Sequence, residues 1–192
     1  MVVHGFRNGS GAEVRYLNLH APGQGFAAFM RALREGRTFS YDQEPPPAEG
    51  GLPISEAVVG ADGFHVERPA QLLALLTEVD EVAIAAVRSE DYDGAPPPHV
   101  HDHHLESFFV LAGRLTLTAG DRVLAAEAGA WIQVPPGIPH RVEVSGSEAA
   151  HFLNLHTPSC GFGDFVRTLS PSIAEDVAAA RSTFDQRPGA TK

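Results

Sequence analysis

Two histidines separated by a single residue constrain this chain more than any other feature. His99 and His101 open the stretch HVHDHHLESFFVLAG, and Glu106 follows five residues after the second of them. In an extended strand, residues i and i+2 point to the same face, so we expect the two imidazoles to lie side by side. A second stretch, GAWIQVPPGIPH, adds a strand, a Pro-Pro-Gly turn and His140. Three imidazole nitrogens and one carboxylate oxygen predict a site for Zn, Fe, Ni, Cu or Mn, with positions left open for water or substrate.

Together, the two stretches resemble the paired motifs of the cupin superfamily. The residues that match the first motif are Gly94, His99, His101, Glu106 and Gly113, with one residue fewer than usual after the first glycine. The residues that match the second are Gly129, Pro135, Gly137 and His140, while Val144 stands where the family often has asparagine. Both motifs in the right order within about fifty residues form a strong signal. The resemblance implies an all-β fold, an antiparallel jelly-roll barrel with a few flanking α-helices, whose His99, His101, Glu106 and His140 bind one divalent transition metal.

The histidine-rich run has an alternative interpretation, a solvated polar loop that takes up metal adventitiously. That interpretation does not explain why Glu106 and His140 accompany the run. For His103 and His104 it is the favoured one, because ligands at His101 and His103 would leave too little chain before Glu106 for the family spacing. A supporting role behind the ligands is the alternative for either residue.

Neighbouring positions predict a substrate pocket. Phe108 and Val110 lie two and four residues after Glu106 and therefore point to the same face of the strand. They are expected to face the interior, as Trp131 or Gln133 from the opposite sheet can do. An ordinary core position is the alternative for each of them.

His156 closes the run LNLH and can reach the mouth of the pocket, although its repeat at His20 favours a role in the fold. The candidate site residues are therefore Glu106 as a catalytic residue and ligand, and Phe108, Val110, Gln133 and His156 as pocket residues.

An internal repeat relates the two ends of the chain. When residue n is placed over residue n + 136, eleven of thirty positions from His4 and His140 onward are identical, including both LNLH runs. Such self-similarity indicates a repeated structural unit. The repeat predicts that residues 1–50 are the C-terminal remnant of a first cupin repeat plus a linker, EPPPAEGG, and that residues 51–192 form a complete cupin barrel with C-terminal helices. Because the remnant leaves apolar side chains without a sheet to cover them, they are expected to pack on the second barrel, on a partner chain or on both, and we expect a homodimer.

Local patterns predict the elements of the second part. Leucines within RPAQLLALLTEV predict a short helix over 68–79, and alanine-rich stretches predict helices near 161–169 and 173–184. Between them, short runs broken by glycine predict the barrel strands, from VAIAAVRS to AAHFLNLHT.

Composition excludes several function classes. With 192 residues and 43% hydrophobic content, the chain can form one full barrel of this kind. A net charge of −10 without clusters of Lys or Arg argues against partners such as nucleic acid or an anionic membrane. Cys160 is the only cysteine, and the sequence has no signal peptide and no run of eighteen apolar residues, which predicts a cytoplasmic protein.

Two function classes remain. The resemblance, through PPHVH and FFVLAG, extends to quercetin-dioxygenase-like cupins and implies a metal-dependent oxygenase that acts on a small aromatic or diketone-type molecule. The alternative is a non-catalytic module that binds a small molecule or a structural metal. In both cases the imidazoles must be neutral and the carboxylate ionised, so metal binding should weaken as the pH falls through the histidine range.

Overall fold

Short antiparallel strands dominate the computed structural model, which describes residues 7–41, 65–68, 70–90, 96–169 and 184–189. Contacts divide the chain into two units, Met1–Val59 and Gly60–Lys192. Among the described helices, none has the length and apolar character needed to span a membrane.

The second unit consists of two antiparallel sheets. One sheet has the strand order β1-β2-β3-β10-β5-β8 and the other the order β11-β4-β9-β6-β7. The strands are β1 (His65–Arg68), β2 (Gln71–Val79), β3 (Val82–Ser89), β4 (His99–Val100), β5 (Leu105–Ala112), β6 (Arg114–Ala119), β7 (Arg122–Glu127), β8 (Trp131–Val134), β9 (His140–Val144), β10 (Ala150–Thr157) and β11 (Arg187–Pro188). This arrangement confirms the predicted all-β jelly-roll fold and the strands predicted from VAIAAVRS onward.

Alternation along the strands builds the core between the sheets. On β3, Ala83, Ala85 and Val87 are buried at every second position, and on β6 Leu115 and Leu117 are fully buried. Because successive side chains of a strand point to opposite faces, one face of each sheet supplies the apolar interior. That interior also receives the inward-facing histidines described below.

The predicted helix over 68–79 was wrong, because this segment contains the end of β1 and all of β2. β2 pairs with β3 along most of its length and buries Leu73 and Leu75, whereas Leu72 and Leu76 are exposed. Four leucines in five positions fit a helical face and an alternating strand equally well. The pairing with β3, which lies outside the local pattern, decides between them.

A glycine of the first motif makes the turn between β5 and β6. Gly113 has φ +72°, and a Cβ atom at this position would lie 2.5 Å from the Ala149 carbonyl oxygen and 2.8 Å from Ala150 Cα. Only glycine combines the left-handed conformation with this close approach. The motif glycine therefore keeps β5, which carries Glu106, in register beside β10.

Helix α2 (Phe162–Thr168) confirms the helix predicted near 161–169. The other predicted C-terminal helix, over 173–184, lies outside the described residues except at its last position. The linker EPPPAEGG, Gly94 and His4 also lie outside them.

In the first unit, α1 (Phe26–Arg34) follows Gly25, whose φ is +87°. The ring of His20 stacks on Phe26 at a centroid distance of 3.6 Å, and the Tyr41 hydroxyl lies 2.8 Å from His20 Nδ1. Several large apolar side chains of this unit are exposed: Val14, Tyr16, Leu17, Leu19, Met30, Leu33 and Phe39.

The same local geometry recurs in the second unit. Gly161 precedes α2 with φ +81°, and His156 stacks on Phe162 at 3.7 Å. The repeat found in the sequence therefore extends to backbone conformation and ring packing. That residues 1–50 are the remnant of a first cupin repeat stays a prediction.

Candidate metal centre

Paired strands bring the predicted ligands together. His99 on β4 and His140 on β9 are register partners, with ring centroids 4.4 Å apart. His101 follows two residues after His99, and its ring centroid lies 4.8 Å from that of His99. Glu106 comes from β5 of the other sheet. All four side chains are buried, and their ligand atoms lie within 4.8 Å of one another.

Glu106 Oε2 lies at the centre of this group. It is 2.6 Å from His140 Nε2, 3.1 Å from His101 Nε2 and 3.8 Å from His99 Nε2. Donor atoms that share one ion through bonds of about 2.1 Å are separated by roughly 3 to 4 Å. The observed spacing is close to that of a single-ion site.

In each of the three histidines, Nε2 faces Glu106 and Nδ1 points away from it. The partner of Nδ1 shows which of the two nitrogens carries the proton. His99 Nδ1 is 2.9 Å from the Pro97 carbonyl oxygen, and His140 Nδ1 is 2.9 Å from that of Ile138. His101 Nδ1 contacts the Asp185 carbonyl oxygen. A carbonyl oxygen only accepts, so each Nδ1 carries the proton and donates it, which leaves each Nε2 of a neutral ring with a lone pair.

These three lone pairs converge on a carboxylate, which is also an acceptor. Buried acceptors that face one another are unfavourable unless a proton or a cation lies between them. Neutral imidazole nitrogens and a carboxylate oxygen are ligands of divalent transition metals. The donor set therefore fits such an ion, held by His99, His101, Glu106 and His140.

The electrostatics of Glu106 agree with a role as ligand. Burial by itself raises the pKa of its carboxyl group, but hydrogen bonds from His101, His140 and His99, where protons on Nε2 take the place of an ion, outweigh burial and hold the pKa well below its ordinary value. Asn154 Nδ2 donates a hydrogen bond of 2.7 Å to the other oxygen, Oε1. Glu106 is therefore ionised, as ligation requires.

A second layer of polar side chains lies behind the ligands. Asn154 Oδ1 is 2.8 Å from His156 Nε2, and His156 Nδ1 is 2.8 Å from His104 Nε2. His104 Nδ1 is in turn 2.9 Å from Asp185 Oδ2. A continuous series of polar contacts thus runs from Glu106 to Asp185.

The favoured interpretation of His104 as a loop residue was wrong for its side chain, which is 1% exposed. Its two polar partners, Asp185 and His156, are remote in sequence, so the local pattern could not reveal them. His103 is exposed, in keeping with the loop interpretation.

Both histidines of the second layer favour the neutral form. Burial, together with repulsion from His101, lowers the pKa of His104 to about 4, despite its hydrogen bond to Asp185. Burial also holds the pKa of His156 well below its ordinary value, despite the opposing effect of Glu106.

Three of the four candidate ligands line a cavity of about 380 Å³, and His140 is not among its lining residues. Its polar lining includes His99, His101, Glu106, Asn154 and His156, and Gln71 and Ser89 also line it. The remaining lining is mainly apolar and includes Leu73, Val87, Phe108, Leu115, Val142, Phe152, Phe162 and Phe184.

Of the predicted pocket residues, Phe108 and His156 line this cavity. Val110 is fully buried in the core and is not among the lining residues, in agreement with the alternative interpretation of an ordinary core position. The prediction for Gln133 was wrong, because its side chain is exposed. On β8 the buried position is Val134, opposite Glu106, so Gln133 lies one step out of phase with the interior.

Sequence reasoning missed Asn154 and Asp185, and it gave His104 a supporting role only as the alternative. Two signals pointed to them: Asn154 belongs to the repeated run LNLH, and Asp185 belongs to an Asp-Gln pair that recurs at residues 42–43. As parts of a repeat, neither signal by itself indicates a functional site.

A comparison with known families identifies the second unit. Residues 91–156, which include all four predicted ligands, match the cupin domain family. The second unit therefore contains a cupin domain. No curated protein sequence matches this cupin significantly.

Several solved structures are similar to part of this chain at low identity. KdgF from Halomonas sp. is 14% identical with a TM-score of 0.44, covering 50% of this cupin and 87% of that chain. The cupin domain of Cnp3 from Schizosaccharomyces pombe is 18% identical with a TM-score of 0.45, covering 50% and 69%. PAC13 from Streptomyces, solved with uridine, is 14% identical with a TM-score of 0.45, covering 55% and 83%. Similarity at this level does not bear on activity.

Proposed function

We propose that this cupin is a metal-dependent enzyme of the quercetin-dioxygenase-like type that acts on a small aromatic or diketone-type molecule. The observation that carries the proposal is the convergence of three histidine Nε2 atoms on the Glu106 carboxylate at the wall of a largely apolar cavity. The same ligand set suits Fe, Mn, Ni, Cu or Zn.

The cavity supports the proposed substrate class. Its volume of about 380 Å³ falls within the range of small-molecule sites. Phe108, Phe152 and Phe162 offer apolar surface to a planar ring, while polar groups occur at the ligands. A molecule with an apolar body and a pair of oxygen atoms at one end matches this division.

A bound divalent transition metal supplies Lewis acidity for a substrate that carries oxygen donors. The protein's own contribution is to position the substrate and exclude water. Glu106 is the candidate catalytic residue because its ionised carboxylate lines the cavity and can accept a hydrogen bond from a substrate hydroxyl group. Asn154 holds the carboxylate through Oε1 while it does so.

One observation favours a second candidate, a non-catalytic binding module. Among the described residues that line the cavity, His156 is the only titratable residue outside the ligand set, and both of its ring nitrogens already have polar partners. The site thus lacks a general base independent of the ligands within the described part of the chain. Chemistry would have to depend on the metal and Glu106.

Metal analysis of the purified protein together with oxygen uptake on a panel of flavonols, catechols and β-diketones tests the proposal. Bound Fe, Mn, Ni or Cu with substrate-dependent uptake is the expected result. Tightly bound Zn without uptake would favour the binding module. Absence of stoichiometric metal after reconstitution with each of these ions would contradict both.

The matched pair His101→Ala and His103→Ala tests the ligand assignment. His101 is buried in the site, whereas His103 is exposed two residues further along the same loop. We expect His101→Ala to lose most bound metal while far-UV circular dichroism is unchanged, and His103→Ala to keep it. Equal metal content in the two variants would refute the assignment.

We also propose that residues 1–50 represent the last part of a cupin repeat and that their exposed apolar side chains pack against a second copy of the chain in a homodimer. The turn geometry shared with the second unit supports the first statement. Exposure supports the second, because Tyr16 is 67% exposed whereas its counterpart Phe152 is 8% exposed. Sedimentation velocity of wild type and Tyr16→Ser tests the second statement. We expect a dimer that the substitution weakens, and a monomer at all concentrations would overturn it.

A further inference from the structure

The segment Phe184–Gly189 runs along the strand that carries the first ligand. β11 pairs with β4, so that Arg187 is opposite Val100 and Pro188 is opposite His99. The Gly189 amide donates a hydrogen bond of 2.9 Å to the Pro98 carbonyl oxygen. A side chain at Gly189 would lie only 3.1 Å from the His99 backbone. This close pairing fixes the edge of the sheet that carries His99 and His140.

Within this segment, Asp185 has the most contacts with the site. Its carbonyl oxygen accepts the hydrogen bond from the ligand His101. Its carboxylate accepts one hydrogen bond of 3.0 Å from the Asp102 amide, one of 2.7 Å from the His103 amide and one of 2.9 Å from His104 Nδ1. Three donors on one carboxylate hold the 102–104 loop, which joins His101 to Glu106.

Asp185 also connects to Glu106 through side chains. From His104, the polar contacts pass to His156, then to Asn154 and finally to Glu106 Oε1, with lengths of 2.8, 2.8 and 2.7 Å. Phe184 packs beside this series, with ring centroids 5.4 Å from His101 and 5.4 Å from His156. A single residue near the end of the described chain therefore reaches a ligand directly on one side and another ligand indirectly on the other.

We propose that Asp185 is a positioning residue of the metal centre, which orients His101 through its carbonyl oxygen and Glu106 through its carboxylate. The proposal rests on the proposed metal-binding function. Outer partners of metal ligands orient the first ligands, and their loss typically weakens metal binding about 10- to 100-fold.

Replacing the carboxylate by an amide tests this proposal most directly. The amide of Asp185→Asn keeps one accepting oxygen and replaces the other with a donor, which cannot receive the bonds from His103 and His104. The backbone carbonyl contact with His101 remains possible. Asp164→Asn is the matched control, because Asp164 is an exposed acid on α2 that pairs with Arg167.

The experiment is a titration of the full chain with Co²⁺, which reports both affinity and, through its visible absorption bands, the geometry around the ion. We expect wild type and Asp164→Asn to bind with the same affinity and spectrum. Asp185→Asn should bind about 10- to 100-fold more weakly with altered bands. Asp185→Glu, which keeps the carboxylate, should recover part of the affinity.

Hydrogen exchange in the metal-free proteins adds a readout that does not need the ion. The His103 amide should exchange faster in Asp185→Asn than in wild type, because a donor replaces its acceptor, whereas the Asp102 amide keeps the remaining oxygen as its acceptor. A purely structural role would lower stability and leave the spectrum unchanged, which would overturn the proposal. If Asp185→Asn does not fold, His104→Gln, which interrupts the same series of contacts, should weaken Co²⁺ binding, and wild-type affinity in that variant would also overturn it. Failure of wild type to bind Co²⁺ would instead reject the proposed function itself.

Discussion

Asn154 offers the sharpest test of how the protein holds its candidate ligand carboxylate. Asn154 Nδ2 donates a hydrogen bond of 2.7 Å to Glu106 Oε1, and both residues are buried, at 7% and 6% exposure. Asn154→Leu preserves the approximate size of the side chain while removing this donor. It also removes the acceptor that lies 2.8 Å from His156 Nε2.

The magnitude follows from the charge on Glu106. Hydrogen bonds to charged groups contribute about 1.5–3 kcal/mol, and each 1.4 kcal/mol corresponds to about a tenfold change in affinity. If the carboxylate is free to turn once the bond is lost, metal affinity should fall about 10- to 100-fold, the range typical for lost outer partners of metal ligands. The metal-free protein should also lose about 1–3 kcal/mol of unfolding free energy, because buried polar groups are left without partners.

Competition with a chromophoric chelator for Zn²⁺ measures the affinity, and urea denaturation of the metal-free protein measures the stability. Asn18→Leu is the matched control, since Asn18 occupies the same place in the other LNLH run and is exposed. It should change neither quantity. Zn²⁺ affinity of Asn154→Leu within about threefold of wild type, a difference of less than about 0.7 kcal/mol, would refute the reasoning.

Three further predictions address the turn, the metal and the cavity. Gly113→Ala should lower the free energy of unfolding in urea by about 2–5 kcal/mol, because the alanine would be left-handed and its Cβ would meet the Ala149–Ala150 backbone. Gly120→Ala should lower it by only about 1–2 kcal/mol, because Gly120 has a similar φ of +60° but open space around it. Equal losses in the two variants would contradict the clash. Removing metal with a chelator should lower the melting temperature of the reconstituted protein. An ion that binds only the folded state, at a free concentration 100 times its Kd, adds about 2.7 kcal/mol to the free energy of unfolding. An unchanged melting temperature would count against a specific site. Leu73→Phe should weaken binding of an aromatic ligand and leave metal content intact. Leu72→Phe, on the opposite and exposed face, should change neither ligand binding nor metal content, and calorimetric titration distinguishes the two variants.

Short motifs that resemble those of the cupins explain why the fold could be predicted and a ligand set proposed. His99 and His101 lie on one face because a strand repeats every two residues, and the glycine, proline and histidine positions of the second motif require a turn before His140. The same rule failed on β8, where the interior receives Ile132 and Val134 instead of Gln133. Alternation specifies that every second residue is buried, but the pairing of β8 with β5 decides which ones.

The leucines of β2 illustrate a second limit. Their spacing is compatible with both helix and strand, and eight register contacts with β3 select the strand. Secondary structure at such a segment follows from the neighbouring strand, whose position depends on the whole barrel.

Through its resemblance to the cupin motifs, the sequence determined which side chains can serve as ligands and that a jelly roll carries them. Only the tertiary structure decided what surrounds them. Asp185 reaches His104 across 81 residues of chain, and Asn154 reaches Glu106 across 48. Partners so far apart in sequence meet only when the sheets and the C-terminal segment have packed. A pattern of a few neighbouring residues therefore cannot predict these contacts.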